Sequence, residues 1–201
     1  RYIIYLMKTE QGTIAAANCQ GLANSSIPRS QEDAGLTTPN RHDIATLLHS
    51  VEDLPGNRGW VEHSFYVGDA AYRIATALRQ SGHQIDPEKS LVLGYLHDIG
   101  KIEPFVGRMG IHLLNGYRFL RGRHYPEDYC SVCLTHSFFD GDPHSNLCSV
   151  LDPKLDSFII DYVSSHTYSP EEDLISLCDL LCTHHFVTID HRIEDAVARH
   201  G

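Results

Sequence analysis

Apolar residues recur at helical spacing along most of the chain after its first 40 residues. Ile44, Leu47 and Leu48 predict a first helix, which ends in the turn 54–57. A long amphipathic helix is predicted over 57–78, because its apolar positions form one stripe and no proline interrupts them. Strand-like alternation of apolar and polar residues is nearly absent. The pattern therefore predicts an all-α fold.

Capping residues mark two later helices. Asp86 and Pro87 form an N-cap with a proline in the first turn, and we predict that their helix ends at Gly100. Ser169 and Glu172 form a capping box at the start of another helix. The capping-box helix is predicted over 170–183. Further helices are predicted over 109–121, 126–138, 153–166 and 190–199.

The first 40 residues lack helical and strand periodicity. After an apolar patch at 2–7 they are rich in Ala, Asn, Ser, Gly, Thr and Pro. We predict a poorly structured N-terminal tail over 1–40 and one helical domain over 41–201. A chain of 201 residues with 42% hydrophobic and 21% charged residues can bury a core, and this composition excludes disordered, collagen-like and coiled-coil classes.

Net charge restricts the partners that we expect. The formal net charge of −10 argues against an extended nucleic-acid surface and against binding to an anionic membrane. Apolar runs are far shorter than the ~20 residues that cross a bilayer, so we expect no membrane span and, by default, a cytoplasmic location. Basic residues concentrate between 101 and 139, a composition that suits a small anionic group or, equally, a solvated helix face. They are Lys101, Arg108, Arg118, Arg121 and Arg123.

The six cysteines are predicted to be reduced. Cys130 and Cys133 have the spacing of half a zinc knuckle, but no second pair follows them. We therefore predict that both thiols pack in the core.

Histidine is in excess, with 14 in 201 residues, and it is the commonest metal ligand. Two histidines precede an aspartate. His42-Asp43 lies at a helix start, where a short polar side chain caps free N–H groups, so we predict a structural cap. His97-Asp98 follows the apolar run 91–96, so we predict that this pair enters the protein interior.

Two acidic residues lie in apolar surroundings, Asp98 after the run 91–96 and Asp179 within 174–182. A carboxylate buried without partners is costly, and an ion pair, a hydrogen-bond network or a metal ion offsets that cost. His63 lies on the inward side of the long helix. Imidazole and carboxylate groups that project inward from several helices suit a divalent metal ion. The predicted ligands are His63, His97, Asp98 and Asp179.

These residues carry a family resemblance. The order His63, Leu-His-Asp-Ile-Gly-Lys-Ile at 96–102 and Asp179 resembles the HD-domain metal-dependent phosphohydrolase superfamily in its HDIG-type form. The resemblance spans about 57–185 and implies an all-helical bundle. It further implies that a first metal ion is bound by His63, His97, Asp98 and Asp179.

Two further histidines resemble ligands of a second ion in the same family. His112 stands in Ile-His-Leu-Leu-Asn-Gly at 111–116, and His136 in Leu-Thr-His-Ser-Phe-Phe-Asp-Gly at 134–141. The related cyclic-dinucleotide phosphodiesterases have a histidine where this chain has Ser137, and their Gly-Tyr-Pro motif is absent from the sequence. Both differences argue against their substrate and against a trinuclear site. Capping or substrate contact is the alternative role of the two histidines.

The resemblance implies one or two divalent ions, of Mn, Mg, Co, Ni, Zn or Fe, and hydrolysis of a nucleotide or similar small phosphate ester by metal-activated water. Asp98 is expected to bridge two ions. Lys101, one helical turn after His97, is expected to stabilise a phosphoryl oxygen, although the helix dipole also favours a lysine there. Further phosphate contacts are expected from Arg108, Arg118, Arg121 or Arg123.

Two other functions stay open. Some HD-fold proteins hold a di-iron pair on the same series of ligands and act as oxygenases, and a non-catalytic nucleotide-sensing module is the third hypothesis. Motifs of zincins, P-loop proteins, serine hydrolases and dinucleotide-binding proteins are absent from the sequence. His184 and His185, at a helix end, stay outside the metal set. Exposure is predicted for His124, His144, His166, His191 and His200.

Overall fold

The computed structural model describes residues 35–102, 111–138, 141–143 and 153–182, and the single positions 187, 191, 194 and 198. All described residues belong to one unit, which begins at Gly35. Most of the predicted tail and the region of Arg108 therefore lie outside the described residues. The domain division at residue 40 stays a prediction.

Helices make up the described part of the chain. Between the third and fourth helix lies a 3-10 turn, Ile99–Ile102. The helices are α1 (Arg41–Glu52), α2 (Arg58–Gln80), α3 (Pro87–Leu96), α4 (Ile111–Gly122), α5 (Glu127–Cys130), α6 (Val132–Thr135), α7 (Pro153–Ser165) and α8 (Pro170–Leu181). Because these ranges contain no β-strand, the all-α prediction is confirmed.

The caps that the sequence predicted form at α3 and α8. The Asp86 side chain accepts the backbone N–H groups of Glu88 and Lys89, and Pro87 opens the helix. At α8, the Ser169 hydroxyl accepts the N–H of Glu172 at 3.2 Å, and the Glu172 carboxylate accepts the N–H of Ser169 at 3.0 Å. Both helices therefore start where local hydrogen bonding satisfies their free N–H groups.

The predicted cap at His42-Asp43 is wrong. The N-cap of α1 is Asn40, whose extended backbone lets its side-chain oxygen accept the Asp43 N–H at 3.0 Å. The Asn40 amide also donates to the Asp43 carboxylate at 2.6 Å. Asp43 therefore lies inside the first turn, where the helix dipole favours a negative charge.

The helix that precedes the His-Asp pair is shorter than predicted. It ends at Leu96 rather than near Gly100, and the N–H of Lys101 donates to the Asp98 carbonyl at 2.9 Å in the tighter 3-10 pattern. Gly100 explains the change, because a Cβ built there would overlap the His112 carbonyl of α4. The turn thus lies directly on the α4 backbone.

The single helix predicted over 126–138 is interrupted. α5 and α6 are separated at Ser131, although the backbone of this residue keeps right-handed helical angles, φ −56° and ψ −34°. The Ser131 carbonyl accepts the N–H of Leu134 at 2.8 Å and the hydroxyl of Thr135 at 3.1 Å. The same carbonyl also accepts the Thr135 N–H at 3.0 Å, so a 3-10 bond and a regular helical bond share one acceptor at the break. Of the predicted helix 190–199, only the helical positions 191, 194 and 198 are described.

α3 is the centre of the bundle. All of its residues from Leu91 to Leu96 are buried, and it packs against α1, α2, α6 and α8. Its backbone meets α2 closely at two glycines, because a Cβ on Gly94 would lie 2.5 Å from the Cα of Gly68. A helix that is apolar all round is buried on all sides. The His97-Asp98 pair at its end therefore enters the interior, as predicted.

The described cysteines also follow prediction. Cys130, Cys133, Cys178 and Cys182 are free and buried, and burial raises the pKa of the Cys130 thiol to about 12. None of the described helices is long and apolar enough to span a bilayer.

Candidate metal centre

Side chains from five neighbouring elements converge beside the end of α3. α2 and α8 each contribute one residue, the end of α3 contributes two, the first turn of α4 one, and the residue after α6 one. They are His63, Asp179, His97, Asp98, His112 and His136, which form two groups of three possible ligands.

The first group is His63, His97 and Asp179, whose ligand atoms all lie within 4.8 Å of one another. One carboxylate oxygen of Asp179, Oδ1, is 2.8 Å from Nε2 of His63 and 3.5 Å from Nε2 of His97. Two ring nitrogens therefore face one carboxylate oxygen. His63 and Asp179 are 116 residues apart in the sequence.

The second group is Asp98, His112 and His136. The Asp98 Oδ1 atom lies 3.5 Å from Nε2 of His112 and 3.8 Å from Nε2 of His136. The other oxygen of Asp98, Oδ2, lies 3.4 Å from Nε2 of His97 in the first group. The Asp98 carboxylate thus stands between the two groups, with one oxygen toward each.

The resemblance implies that Asp98 belongs with His63, His97 and Asp179. In the structure Asp98 adjoins both groups, because Oδ1 faces His112 and His136 while Oδ2 lies 3.4 Å from Nε2 of His97. The proximity of all six residues agrees with the sequence analysis. Their role as ligands stays a prediction.

Two backbone carbonyls set the orientation of the deepest imidazoles. Nδ1 of His97 lies 2.7 Å from the Gly94 carbonyl, and Nδ1 of His136 lies 2.9 Å from the Val132 carbonyl. Because a carbonyl oxygen only accepts, both Nδ1 atoms carry the hydrogen. Nε2 is then the ring atom that each histidine presents to the centre, which is the arrangement found in metal-binding histidines.

The donor set fits a cation. Nε2 of His97 is buried without a hydrogen-bond partner, yet it faces oxygens of Asp98 and Asp179 at 3.4 and 3.5 Å. Such an arrangement is favourable only with positive charge between the nitrogen and the oxygens, which a proton on Nε2 or a bound cation supplies. Imidazole and carboxylate together suit divalent transition-metal ions.

The pKa values at the site agree with this picture. Burial lowers the pKa of His112 to about 3 and that of His136 to about 4, so both rings are neutral at pH 7. Burial also disfavours charge on His97, but the carboxylates of Asp98 and Asp179 outweigh it and raise the pKa of His97 to about 10. The centre therefore attracts positive charge most strongly where the two groups meet.

Both acids at the centre are ionised. Burial opposes their charge, but His97 and Lys101 hold the pKa of Asp98 well below its usual range. Hydrogen bonds from His63 and His97 likewise lower the pKa of Asp179. The centre therefore presents two carboxylates to any bound cation.

Exposure shows on which side the centre opens. The side chains of His97, Asp98 and His136 are at most 3% exposed and form the floor. Asp179 is 27% exposed and Lys101 33% exposed, so both lie at the mouth. The centre is therefore open to solvent on the side of Asp179 and Lys101.

Lys101 is the cation that the structure brings to the centre. Its Nζ lies 2.5 Å from Oδ2 of Asp98, the oxygen that faces the first group. In the described part of the chain, the other recorded lysine and arginine ion pairs involve acids outside the cluster. The position of Lys101 is consistent with its expected phosphate contact, which stays a prediction.

Of the arginines proposed for phosphate binding, Arg118 and Arg121 lie on α4 and Arg123 follows it. Arg118 is exposed and stands six residues after His112, a rise of about 9 Å along the helix. Arg121 pairs with Glu127 at 3.2 Å, and Arg123 lies over the Phe119 ring at 4.9 Å. The structure does not bring these three side chains to the cluster, and Arg108 lies outside the described residues.

One of the remaining histidines differs from prediction. His166 is not exposed: its Nε2 lies 2.9 Å from Glu172 Oε1, and its ring stacks on Tyr162 with centroids 5.2 Å apart. His124 and His191 are exposed, as predicted. The other four lie outside the described residues, namely His144, His184, His185 and His200.

Glu172 is a buried residue near the site that the sequence analysis treated only as a cap. Its side chain is 3% exposed, and it accepts the hydroxyl of Thr135, the residue before His136, at 3.2 Å. It thereby ties α8, which carries Asp179, to α6. The capping box was its only sequence signal, because the contact partners are distant in sequence.

Comparison with known families agrees with this architecture. A family model described as HD domain matches residues 60–183, which is more than half of the 201-residue chain. The matched range includes both groups of possible ligands. Comparisons with curated proteins and with solved structures gave no match.

Proposed function

Because the chain belongs to the HD-domain family, a family of metal-dependent hydrolases, we propose that it hydrolyses a phosphomonoester or phosphodiester bond. The proposed substrate is a nucleotide or a similar small phosphate ester. The observation that carries the proposal is the pair of three-ligand groups with the Asp98 carboxylate between them. Two ligand groups around one shared carboxylate suit the cleavage of a phosphate ester.

The histidines and carboxylates of the centre would hold one or two divalent ions. His63, His97, Asp179 and Asp98 would hold one ion, and Asp98, His112 and His136 the other. When bound, such an ion makes a water acidic enough to act as a nucleophile near neutral pH and polarises the phosphoryl oxygen. Four of the six protein ligands are imidazoles, which suit Mn, Fe, Co, Ni or Zn.

The chain's own residues perform the positioning. The Gly94 and Val132 carbonyls hold His97 and His136 in one tautomer, so that the ligand atoms need no reorganisation. Burial of this floor excludes water from the inner side of the centre and strengthens its electrostatic interactions. The Lys101 ammonium, at the mouth, lies where it could stabilise negative charge that develops on a phosphoryl oxygen.

The first test is metal content combined with turnover. We expect the purified protein to contain one or two divalent ions per chain by elemental mass spectrometry. With Mn, Mg or Co added, it should hydrolyse p-nitrophenyl phosphate, bis-p-nitrophenyl phosphate or a nucleotide. Asp98→Asn should lower turnover at least ~100-fold, because it removes charge from the carboxylate between both groups.

Asp128→Asn is the matched control, since Asp128 pairs with Lys89 at 2.6 Å outside the cluster. It should keep both metal and turnover. Metal-dependent turnover that persists unchanged in folded Asp98→Asn would contradict the proposal. Saturable nucleotide binding without turnover under all metals would instead support a sensing module.

Oxygen chemistry is the second candidate function. Four imidazoles and two carboxylates in two groups also suit a pair of irons. Two iron atoms per chain, visible colour and oxygen uptake would favour this function. Colourless protein with exchangeable ions would favour hydrolysis.

A further inference from the structure

The Asp98 carboxylate is shared by both ligand groups and by the ammonium of Lys101. Oδ1 faces the second group, with His112 Nε2 at 3.5 Å and His136 Nε2 at 3.8 Å. Oδ2 faces His97 of the first group at 3.4 Å. The same Oδ2 atom accepts a hydrogen bond from Nζ of Lys101 at 2.5 Å. An ion held by the first group would therefore lie close to the Lys101 ammonium and compete with it for the charge of this carboxylate.

The Lys101 side chain can move away from Asp98. Its backbone is fixed in the 3-10 turn between the buried Ile99 and Ile102, but its side chain is one-third exposed. Asp98, in contrast, is 3% exposed and lies on the floor. A lysine has a flexible four-carbon stem and a strongly hydrated ammonium. The ammonium can therefore move into the mouth without any change in the backbone.

We propose that Lys101 is a movable cation that neutralises Asp98 until a divalent ion binds, and that ion binding releases the ammonium to a phosphate at the mouth. This inference rests on the proposed function. Two cations held by one carboxylate repel each other, so ion binding weakens the hold of Asp98 on Lys101. A phosphate dianion at the mouth then offers the ammonium a stronger charge-assisted hydrogen bond. One side chain thus couples metal occupancy to phosphate binding.

The proposal makes two predictions of opposite sign for one variant. Lys101→Met keeps an unbranched side chain of similar length but removes the charge, so it should remove the competitor for Asp98 and also the phosphate contact. In titration calorimetry, chelator-treated Lys101→Met should bind Mn²⁺ about 10-fold more tightly than chelator-treated wild type. The Mn²⁺-loaded variant should bind inorganic phosphate about 10-fold more weakly, the effect of one hydrogen bond to a charged group.

Lys89→Met is the matched control. Lys89 also forms a close ion pair, with Asp128 at 2.6 Å, and is 19% exposed, but its partner lies outside the cluster. Lys89→Met should change neither the affinity for Mn²⁺ nor the affinity for phosphate. A general effect of removing one positive charge from the protein would instead alter both variants alike.

The following results would contradict the proposal. Unchanged or weaker Mn²⁺ binding by Lys101→Met would overturn competition for Asp98. Tighter Mn²⁺ binding with unchanged phosphate binding would overturn the release step. If circular dichroism shows that Lys101→Met does not fold, Lys101→Gln is put through the same two titrations. Absence of Mn²⁺ binding in wild type would overturn the metal-dependent function itself, which is distinguishable from failure of the lysine variants alone.

Discussion

The carbonyls of Gly94 and Val132 each hold the Nδ1–H of a buried histidine, His97 and His136. Such hydrogen bonds fix the ring orientation and leave Nε2 for a ligand. The sequence identified both histidines from their motifs. It did not identify the carbonyl partners, because these bonds depend on helix termini whose positions are set by packing.

Glu172 offers a test of pH dependence at the residue scale. Burial opposes its charge, but hydrogen bonds from His166 and Ser169 outweigh burial and lower the pKa of Glu172 below 4.5, the value for an unperturbed glutamate. The unfolded chain therefore binds a proton more readily than the folded protein. The stabilisation by this carboxylate is fully present above pH ~4.5 and is lost as pH falls through the folded pKa.

We expect Glu172→Gln to lower the free energy of unfolding by about 1–3 kcal/mol at pH 7, the contribution of hydrogen bonds to a buried charge. The difference from wild type should shrink below pH ~4.5, and urea unfolding at several pH values measures it. Glu62→Gln, at an exposed position on α2, is the control and should have little effect. A difference that stayed constant down to pH 3 would show that the carboxylate charge contributes nothing.

At the scale of elements, the joint between the His-Asp turn and α4 positions the second group. Gly100 and Gly116 let the two backbones touch, because a Cβ on Gly116 would lie 3.1 Å from the Gly100 nitrogen. This contact places His112 beside Asp98. The sequence showed both glycines, but only the packed structure shows that they face each other.

Gly100→Ala tests this joint. The added Cβ would overlap the His112 carbonyl and the Gly116 nitrogen, so α4 must shift away from Asp98. We expect a loss of about 1–3 kcal/mol in the free energy of unfolding and weaker Mn²⁺ binding in titration calorimetry. Gly122→Ala, where a Cβ meets nothing within 4 Å, should change both quantities little. Equal stability and metal affinity in the two variants would refute the role of close backbone contact.

At the scale of the whole molecule, the ligands come from elements that are distant along the chain. His63 on α2 and Asp179 on α8 are 116 residues apart, yet their side chains touch. An ion bound to such ligands is bound by the folded chain and not by the unfolded one. Metal binding should therefore stabilise the fold.

We expect Mn²⁺ at 100 times its dissociation constant to raise the free energy of unfolding by ~2.7 kcal/mol. Thermal unfolding with Mn²⁺ or with a chelator measures this shift. Asp179→Asn should largely abolish it, whereas Asp53→Asn, which affects an exposed pair with Arg58, should retain it. A melting temperature that is insensitive to Mn²⁺ in wild type would argue against a metal held by several elements.

The sequence by itself determined the helices and the identity of the residues at the centre. Caps such as Asp86 and Ser169 act through hydrogen bonds within a few residues, so a local pattern suffices to predict them. Asp98 and Asp179 stood out because acids in apolar runs require partners.

Only the tertiary structure decided how those residues are grouped. Which group each Asp98 oxygen faces, the contact of Lys101 with Oδ2 and the packing of the partly buried His166 against Glu172 all depend on side-chain contacts. Such contacts require packing between elements, and spacing along the chain does not encode the distance between them. The 3-10 turn at Gly100 has the same origin, because the α4 backbone packed against it outweighs local helix preference.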